Sequence, residues 1–501
     1  MYNQDFAKHP LMLLDSIIAL RNEVYKEGSE TFERWRPSID RKFFIGSAIN
    51  LAFYLALRRR DIRDIQDALM PLGLSSLGRL ESRTINNIDS VIASLCRIYG
   101  ENRVGIDYPK RNSYAYGKWM LDRNSNRIFG EEPKSRVSRI MVTLPTEAAY
   151  DYEFVHELIL KGMNVARINC AHDNEEVWYK MIRNIKKAEE DLNSSCKILM
   201  DIAGPKARIE RLMTSLMNPK VNVGSEFFLT ANETLQNYYG MKIVCGCNIP
   251  GIFPYLKEGD PVLVDDGIIE GLIERVTEEG VVVKVNKIMG GKRVRLKAEK
   301  GLNFPNSDIK IEVVTEKDKQ DLDFICGNAD IIGFSFVKDA EDIEVFRNEI
   351  IKRMGEERAS SVAIMAKIET AQGIDNLPEI IVAAAGKNPF CVMIARGDLA
   401  VEEGYLRLAE LQEEILWICE AAHVPVIWAT QVLESMVKCG IPSRAEITDA
   451  AMGGRADCVM LNKGDFLLDG LSALDDILIR MQAHQYKKTP RLRSLSIAKK
   501  R

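Results

Sequence analysis

Eight short apolar runs, each followed by a helical pattern, predict an α/β protein built around a closed (β/α)₈ TIM barrel. The runs are RIMVTL, NVARIN, KILMDI, ADIIGFSF, VAIMAKIE, FCVMIARGD, PVIWATQ and DCVMLN. Unbroken apolar runs are what parallel strands need when both of their faces are buried. Two further observations complete the prediction. A segment of alternating, strand-like character interrupts the third repeat, and a helical region precedes the first.

Taken in order, residues 1–130 carry helical spacing. LMLLDSIIALRNEVYKEG and INLAFYLALRRRDIRDIQDALM place apolar residues three and four apart. PLGLSSLGR reads as a turn before TINNIDSVIASLCRIYG, which ends at glycine as helices do. The polar stretch ENRVGIDYPKRNSYAYGKW reads as a linker. The barrel occupies 136–210 and 298–486. Between these parts, 211–297 alternates as in PVLVDDGIIEGLIERV and GVVVKVNKI, the pattern of a small all-β domain. Loops after barrel strands build the active site in this architecture, so the insert is placed to act as a lid. Residues 487–501 read as a basic tail.

A chain of 501 residues is long enough for two or three domains. A net charge of -4 argues against a general nucleic-acid binder, whose phosphate contacts favour a basic surface. No apolar run approaches the roughly 20 residues that span a bilayer, and MYNQDFAKHP lacks a secretory pattern. A cytoplasmic protein with no membrane partner is expected. The ten cysteines are scattered. Cys245 and Cys247 form a C-x-C without a second pair to complete a zinc site, and Cys391, Cys419 and Cys458 sit in apolar runs. Reduced, structural cysteines follow.

The chemistry is carried by the polar residues that finish the strands. The second run ends in Arg167 and Asn169, and the third in Asp201 with Arg208 after it. The fifth ends in Lys367 and Glu369, the sixth in Arg396 and Asp398, and the seventh in Thr430 and Gln431. Those ends converge on one mouth. Lys367 and Glu369 are two residues apart on a strand and therefore face one ligand. Glu369 and Asp398 suit Mg²⁺, which takes one or two protein carboxylates and otherwise substrate oxygens. Arg167 and Arg208 suit a phosphate through their planar donor forks. Cations, a metal pair and a lid together describe phosphoryl transfer. Singly, each residue has a plainer reading: Asp398 can cap a helix, and Thr430 can be an ordinary β-branched strand residue.

Ordered motifs then bring a resemblance into view. GMNVARINCAH, GPKAR, VDDGII, KGLNFP, FSFVKDAEDI, KIETAQG, ARGDLA, ATQVLESM and PSRAEITD resemble those of the pyruvate kinase family, from about Arg136 to Gln485. The resemblance implies phosphoryl transfer between phosphoenolpyruvate and ADP or ATP, with Mg²⁺ or Mn²⁺. It implies that Lys367 neutralises the phosphoryl group in flight and that Glu369 and Asp398 hold the metal. Arg167 would grip the phosphate, the backbone at Gly397 and Asp398 the carboxylate, and Thr430 would face the enolate. Asn169, His172, Arg208 and Lys300 would lie along the nucleotide phosphates. A homo-oligomer is expected.

The departures are as informative. At the family's potassium site this sequence has Asn169, Ala171, Asp201 and Ile202, so two oxygen ligands are gone. The glutamate of the family's GPEIR is Lys206, as in its potassium-independent members, so an ammonium is expected to replace the ion beside Asp201. Ala203 stands where the family has lysine, and Asn462 and Lys463 stand in LNKGDF where it has Ser and Gly. The family's C-terminal regulatory domain has no counterpart after Gln485. Two other readings stay open: a metal-dependent lyase of the phosphoenolpyruvate/pyruvate barrel group, which a nucleotide lid argues against, and a protein that binds phosphoenolpyruvate without turnover.

Overall fold

The computed structural model describes residues 10–101, 105–291, 293–305, 307 and 309–494. Eight parallel strands close into a barrel in chain order: Arg139–Thr143, Val165–Asn169, Lys197–Asp201, Ile331–Phe334, Ala363–Ile368, Phe390–Ala395, Val426–Ala429 and Cys458–Leu461. Each lies within one of the eight predicted runs. Along a strand alternate residues share a face, and this period organises the molecule. Met141, Val165, Leu199, Met365, Met393, Ile427 and Met460 fill the barrel interior. Two residues further on from five of these lie Thr143, Arg167, Asp201, Lys367 and Asn462. The inward face of those five strands therefore changes from apolar to polar as they approach the mouth, while the sixth and seventh end in Ala395 and Ala429. The intervening residues, such as Ile140, Ala166, Ile198 and Ile364, pack outward against the helices. Gly333 is required beside Asp201: a Cβ there would lie 2.4 Å from the aspartate Cβ.

The helical region supplies Pro10–Trp35, Ile45–Arg58, Arg63–Leu69, Thr84–Tyr99 and Arg111–Phe129. Its polar side chains are spent on carbonyls at the ends of barrel helices and in the loop that enters the seventh strand. Arg41 donates to the Ala385 carbonyl at 2.9 Å, Asn50 to that of Ala421 at 2.8 Å and Asn124 to that of His423 at 2.8 Å. The region thus packs on the end of the barrel opposite the mouth. The predicted linker is corrected here, because its residues from Arg111 to Trp119 are helical. That helix buries Gly117, Met120, Leu121, Ser125, Ile128 and Phe129. Glycine and serine hold two of these positions, which hid the apolar spacing. Gly117 packs so closely that a Cβ would meet the Ser82 carbonyl oxygen at 1.9 Å. Ile128 and Phe129 plug the barrel interior from below.

The insert is a seven-stranded sheet with its own apolar core, and its outer strands run from Ile209–Thr214 to Leu302–Asn303. The sheet exceeds the predicted 211–297 at both ends. Arg208 and Gly301 bridge where the two connections leave the barrel, so the short KGLNFP segment pairs with the insert rather than the barrel. No helix of the described residues is long and apolar enough to cross a membrane, and the ten cysteines are free thiols.

The first part of the basic tail is docked, while residues 495–501, like 1–9 and 102–104 of the helical region, lie outside the described residues. Gln485–Tyr486 and Thr489–Pro490 form a small hairpin. Its turn places Lys487 Nζ 2.8 Å from Asp457 Oδ1 and pairs Lys488 with Glu81 of the helical region. Glu420 lies among these charges. Burial, and then the Glu81 charge, push its carboxyl up to about 7 from an ordinary 4.5. The folded chain therefore keeps a proton that the unfolded chain releases between those values. Stability from this group falls as pH rises through that window. The melting temperature of the wild type should drop across it more steeply than that of Glu420→Gln. Parallel curves would show that Glu420 titrates as an exposed carboxylate.

Candidate active site

The polar ends of the inner strand faces meet in the mouth. Arg167 holds Asp201 with both arms of its fork, Nε to Oδ1 at 3.0 Å and Nη2 to Oδ2 at 2.6 Å. Its Nη1 donates to Thr143 Oγ1 at 3.1 Å. Lys367 Nζ lies 2.9 Å from Glu369 Oε1 and 3.9 Å from Asp201 Oδ2, and donates to Ser335 Oγ at 3.0 Å. Asp201 and Glu369 are 0% and 1% exposed, so these are charges without bulk water. Burial opposes the charge on Lys367, but Glu369 and Asp201 outweigh it and its pKa is raised. Burial also raises the Glu369 carboxyl, against the pull of Lys367 and with the help of the Asp398 charge. Glu369 Oε2 accepts the Phe336 N–H at 2.7 Å, which fixes the carboxylate.

The sixth and seventh strands lock together at their ends. Buried Arg396 donates from Nε to the Ala429 carbonyl at 2.8 Å, and from Nη2 to the Thr430 carbonyl and to Asp449 Oδ2, the latter at 2.9 Å. Thr430 and Gln431 take left-handed φ values of 61° and 57°. That is a costly region for a β-branched residue, and Arg396 holds the carbonyls on either side of the bend. Thr430 Oγ1 accepts the Gly397 N–H at 2.9 Å. The Gly397 N–H, expected at a substrate carboxylate, is thus committed to Thr430. Since Oγ1 accepts there, the threonine proton remains free to donate.

Lys206 departs from the expected pairing. Its Nζ lies 2.6 Å from Asp398 Oδ1, while Asp201 is taken by the Arg167 fork. The reason is geometric: the second and third strands are adjacent, and the planar guanidinium satisfies both Asp201 oxygens. The other positions of the potassium-site remnant offer little: Ile202 is a buried hydrocarbon, and Asn169 Oδ1 accepts the Ala171 N–H at 3.1 Å. The two candidate metal carboxylates therefore each carry a lysine, Lys367 on Glu369 and Lys206 on Asp398. Two nearby carboxylates fit Mg²⁺, whose remaining ligands come from substrate and water. No group of three or more His, Cys, Asp or Glu converges among the described residues, so a metal held by protein alone is not favoured.

Beside Arg167 a cavity of about 280 Å³ is lined by Asn169, His172, Lys438, Asn462 and Lys463. Burial, then the Lys463 charge, lower the His172 pKa, with Arg208 contributing from further away. Arg208 and Lys300 stand on the stems of the insert and do not line this cavity. Arg208 Nη1 donates to the Glu299 carbonyl at 3.1 Å, and Lys300 Nζ lies 2.7 Å from Asp265 Oδ1. A second cavity of about 140 Å³, lined by Lys206, Phe304, Phe336 and Glu402, separates the insert from the barrel. Ser335, Thr143 and Asp449 were not singled out from sequence. Ser335 and Asp449 stood within the FSFVKDAEDI and PSRAEITD motifs, but hydroxyls and a helix aspartate have no spacing that marks a partner.

Residues 135–466 match a family model described as the pyruvate kinase barrel domain. The chain is 32% identical over 339 residues to a pyruvate kinase of Clostridium perfringens, covering 66% of this chain and 68% of that one. It is 33% identical over 334 residues to a pyruvate kinase of Dictyostelium discoideum, covering 65% and 62%. A crystal structure of a pyruvate kinase from Cryptosporidium parvum matches with a TM-score of 0.62 at 27% identity, over 72% of each chain. The matched stretch thus spans about two thirds of the length of the curated relatives. Barrel, inserted sheet and the charged mouth agree with these likenesses, and the chain belongs to the pyruvate kinase family of enzymes.

Proposed function

We propose that the protein transfers a phosphoryl group between phosphoenolpyruvate and ADP, giving pyruvate and ATP, with Mg²⁺ at Glu369 and Asp398. The observation that carries this reading is the half-buried Lys367 ammonium, aimed into the mouth between Glu369 and Asp201. A fixed cation there offsets the charge that spreads over a phosphoryl group in flight. Arg167 retains an N–H direction on Nη2 beyond those given to Asp201, Thr143 and Met460, and this suits the substrate phosphate. When bound, the metal would supply positive charge to substrate oxygens, displacing Lys206 from Asp398. The free Thr430 proton suits delivery to an enolate carbon, directly or through water. Nucleotide phosphates suit the cavity at Asn169, His172 and Lys463, with Arg208 and Lys300 brought closer by movement of the insert.

A second reading, binding of phosphoenolpyruvate without turnover, is favoured by one observation, the Lys206–Asp398 pair that a metal must open. A coupled assay for pyruvate formed from phosphoenolpyruvate and ADP separates the two. Phosphoenolpyruvate binding without pyruvate formation would select the second reading.

Lys367→Met should keep the fold and lose roughly 10³–10⁵ in kcat, by analogy with other cations directed at a transferring phosphoryl group. A folded variant with near-normal turnover removes this lysine from the mechanism.

Potassium should matter little. Ala171 and Ile202 offer no side-chain oxygen, and Lys206 provides a built-in positive charge. Pyruvate formation should be nearly equal in potassium, sodium or tetramethylammonium at equal ionic strength. Lys206→Glu should impair activity by setting a carboxylate against Asp398, and potassium should not restore it unless Ala171→Ser and Ile202→Thr are added. Strong activation of the wild type by potassium would refute this account of Lys206.

A further inference from the structure

A cavity of about 500 Å³, larger than either cavity at the mouth, lies at the other end of the barrel, between the N-terminal helices and the loop at His423. Its volume falls in the range that encloses a small organic ligand, about 300–1,000 Å³. Ile49, Phe53, Ile85 and Tyr116 form an apolar wall, and Arg83 and Asn112 face it. Two other polar residues of the lining are already used. Asn50 donates to the carbonyls of Glu81 and Ala421 and accepts the Thr84 N–H, and His423 bonds Ser47 Oγ and the Ser82 carbonyl through its two ring nitrogens.

Arg83 is different. Its guanidinium makes no ion pair and no hydrogen bond among the described residues, and its Nε is buried without a partner. The Tyr114 ring, 4.4 Å from Arg83 Cζ, holds the group in place without neutralising it. The carboxylate nearest in sequence, Glu81, is already paired with Lys488. A half-buried cation without an anion is unfavourable unless something supplies one, and a guanidinium fork matches carboxylate, sulfonate and phosphate groups.

We propose that this cavity binds a small organic anion, its charged group on Arg83 and its apolar or aromatic body against Phe53 and Tyr116. The site is separate from the catalytic mouth and does not depend on the phosphotransfer reading. It abuts the loop that feeds the seventh barrel strand, at whose far end Thr430 sits.

The test uses the whole chain and 1-anilinonaphthalene-8-sulfonate, an apolar aromatic body with one anionic group, followed by its fluorescence. Saturable binding of one probe per chain is expected. Arg83→Gln should weaken it by about tenfold or more, as loss of a charge-assisted contact implies, and Arg83→Lys should restore part of it. Asn112→Trp, a change at an exposed position of the lining, should block binding without altering the melting temperature. Uncharged N-phenyl-1-naphthylamine should be indifferent to Arg83→Gln, and Lys367→Met should bind the sulfonate as the wild type does. Non-saturable binding, or equal binding by the wild type, Arg83→Gln and Asn112→Trp, overturns the proposal.

Discussion

Charges placed away from water must be neutralised where they stand, and the mouth of this barrel is arranged by that requirement. Arg167 and Asp201 form a buried pair, and half-buried Lys367 pairs with buried Glu369 and approaches Asp201. Lys206 and Asp398 add a third pair at the edge. Three cations face three anions, so these pairs neutralise one another without a ligand. Breaking such a pair by removing one partner costs on the order of 3–5 kcal/mol, because the survivor is left buried and unpaired.

The same requirement explains the backbone beside the site. Thr430 and Gln431 occupy a region that costs about 1–3 kcal/mol per residue and persists only where the surroundings over-determine it. Arg396 supplies that constraint. It binds the carbonyls of Ala429 and Thr430, is itself neutralised by Asp449, and lies over the Trp428 ring at 4.6 Å. The bend turns Thr430 Oγ1 toward the Gly397 N–H. A residue that looked like one more polar strand end therefore acts on its neighbour's geometry rather than on a ligand.

Much of this architecture was legible because burial writes itself into composition. Strands covered on both faces need unbroken apolar runs, and the point where a run meets Arg167, Asp201 or Lys367 marks the rim. Partner choice left no such trace. Lys206 is close in sequence to Asp201, yet its long stem reaches Asp398, and only the register of the second and third strands explains why Arg167 takes Asp201 first. The helix Arg111–Phe129 was hidden for a related reason. Its packed face uses Gly117 and Ser125, whose value lies in close approach rather than hydrophobicity. The tail read as a basic segment, since nothing local announced that Glu81, hundreds of residues away, and Asp457, 30 residues away, would receive Lys488 and Lys487.

Those distant pairs bear on how the two ends of the barrel differ. Side chains from the strands alone fill the middle of the interior, and at the lower end Ile128 and Phe129 complete the filling from outside the barrel. Arg41, Asn50 and Asn124 cap carbonyls at that end. Charge is balanced there too, because Glu81, Glu420 and Asp457 gather at the junction of helical region and barrel, where Lys487 and Lys488 offset them. Apolar contact and ion pairs thus cover the lower end of the interior, while ion pairs line the mouth. What lies over each end differs: a docked helix and hairpin at the bottom, with the cavity beside His423, and at the top an inserted sheet with cavities beside Lys206 and Lys463.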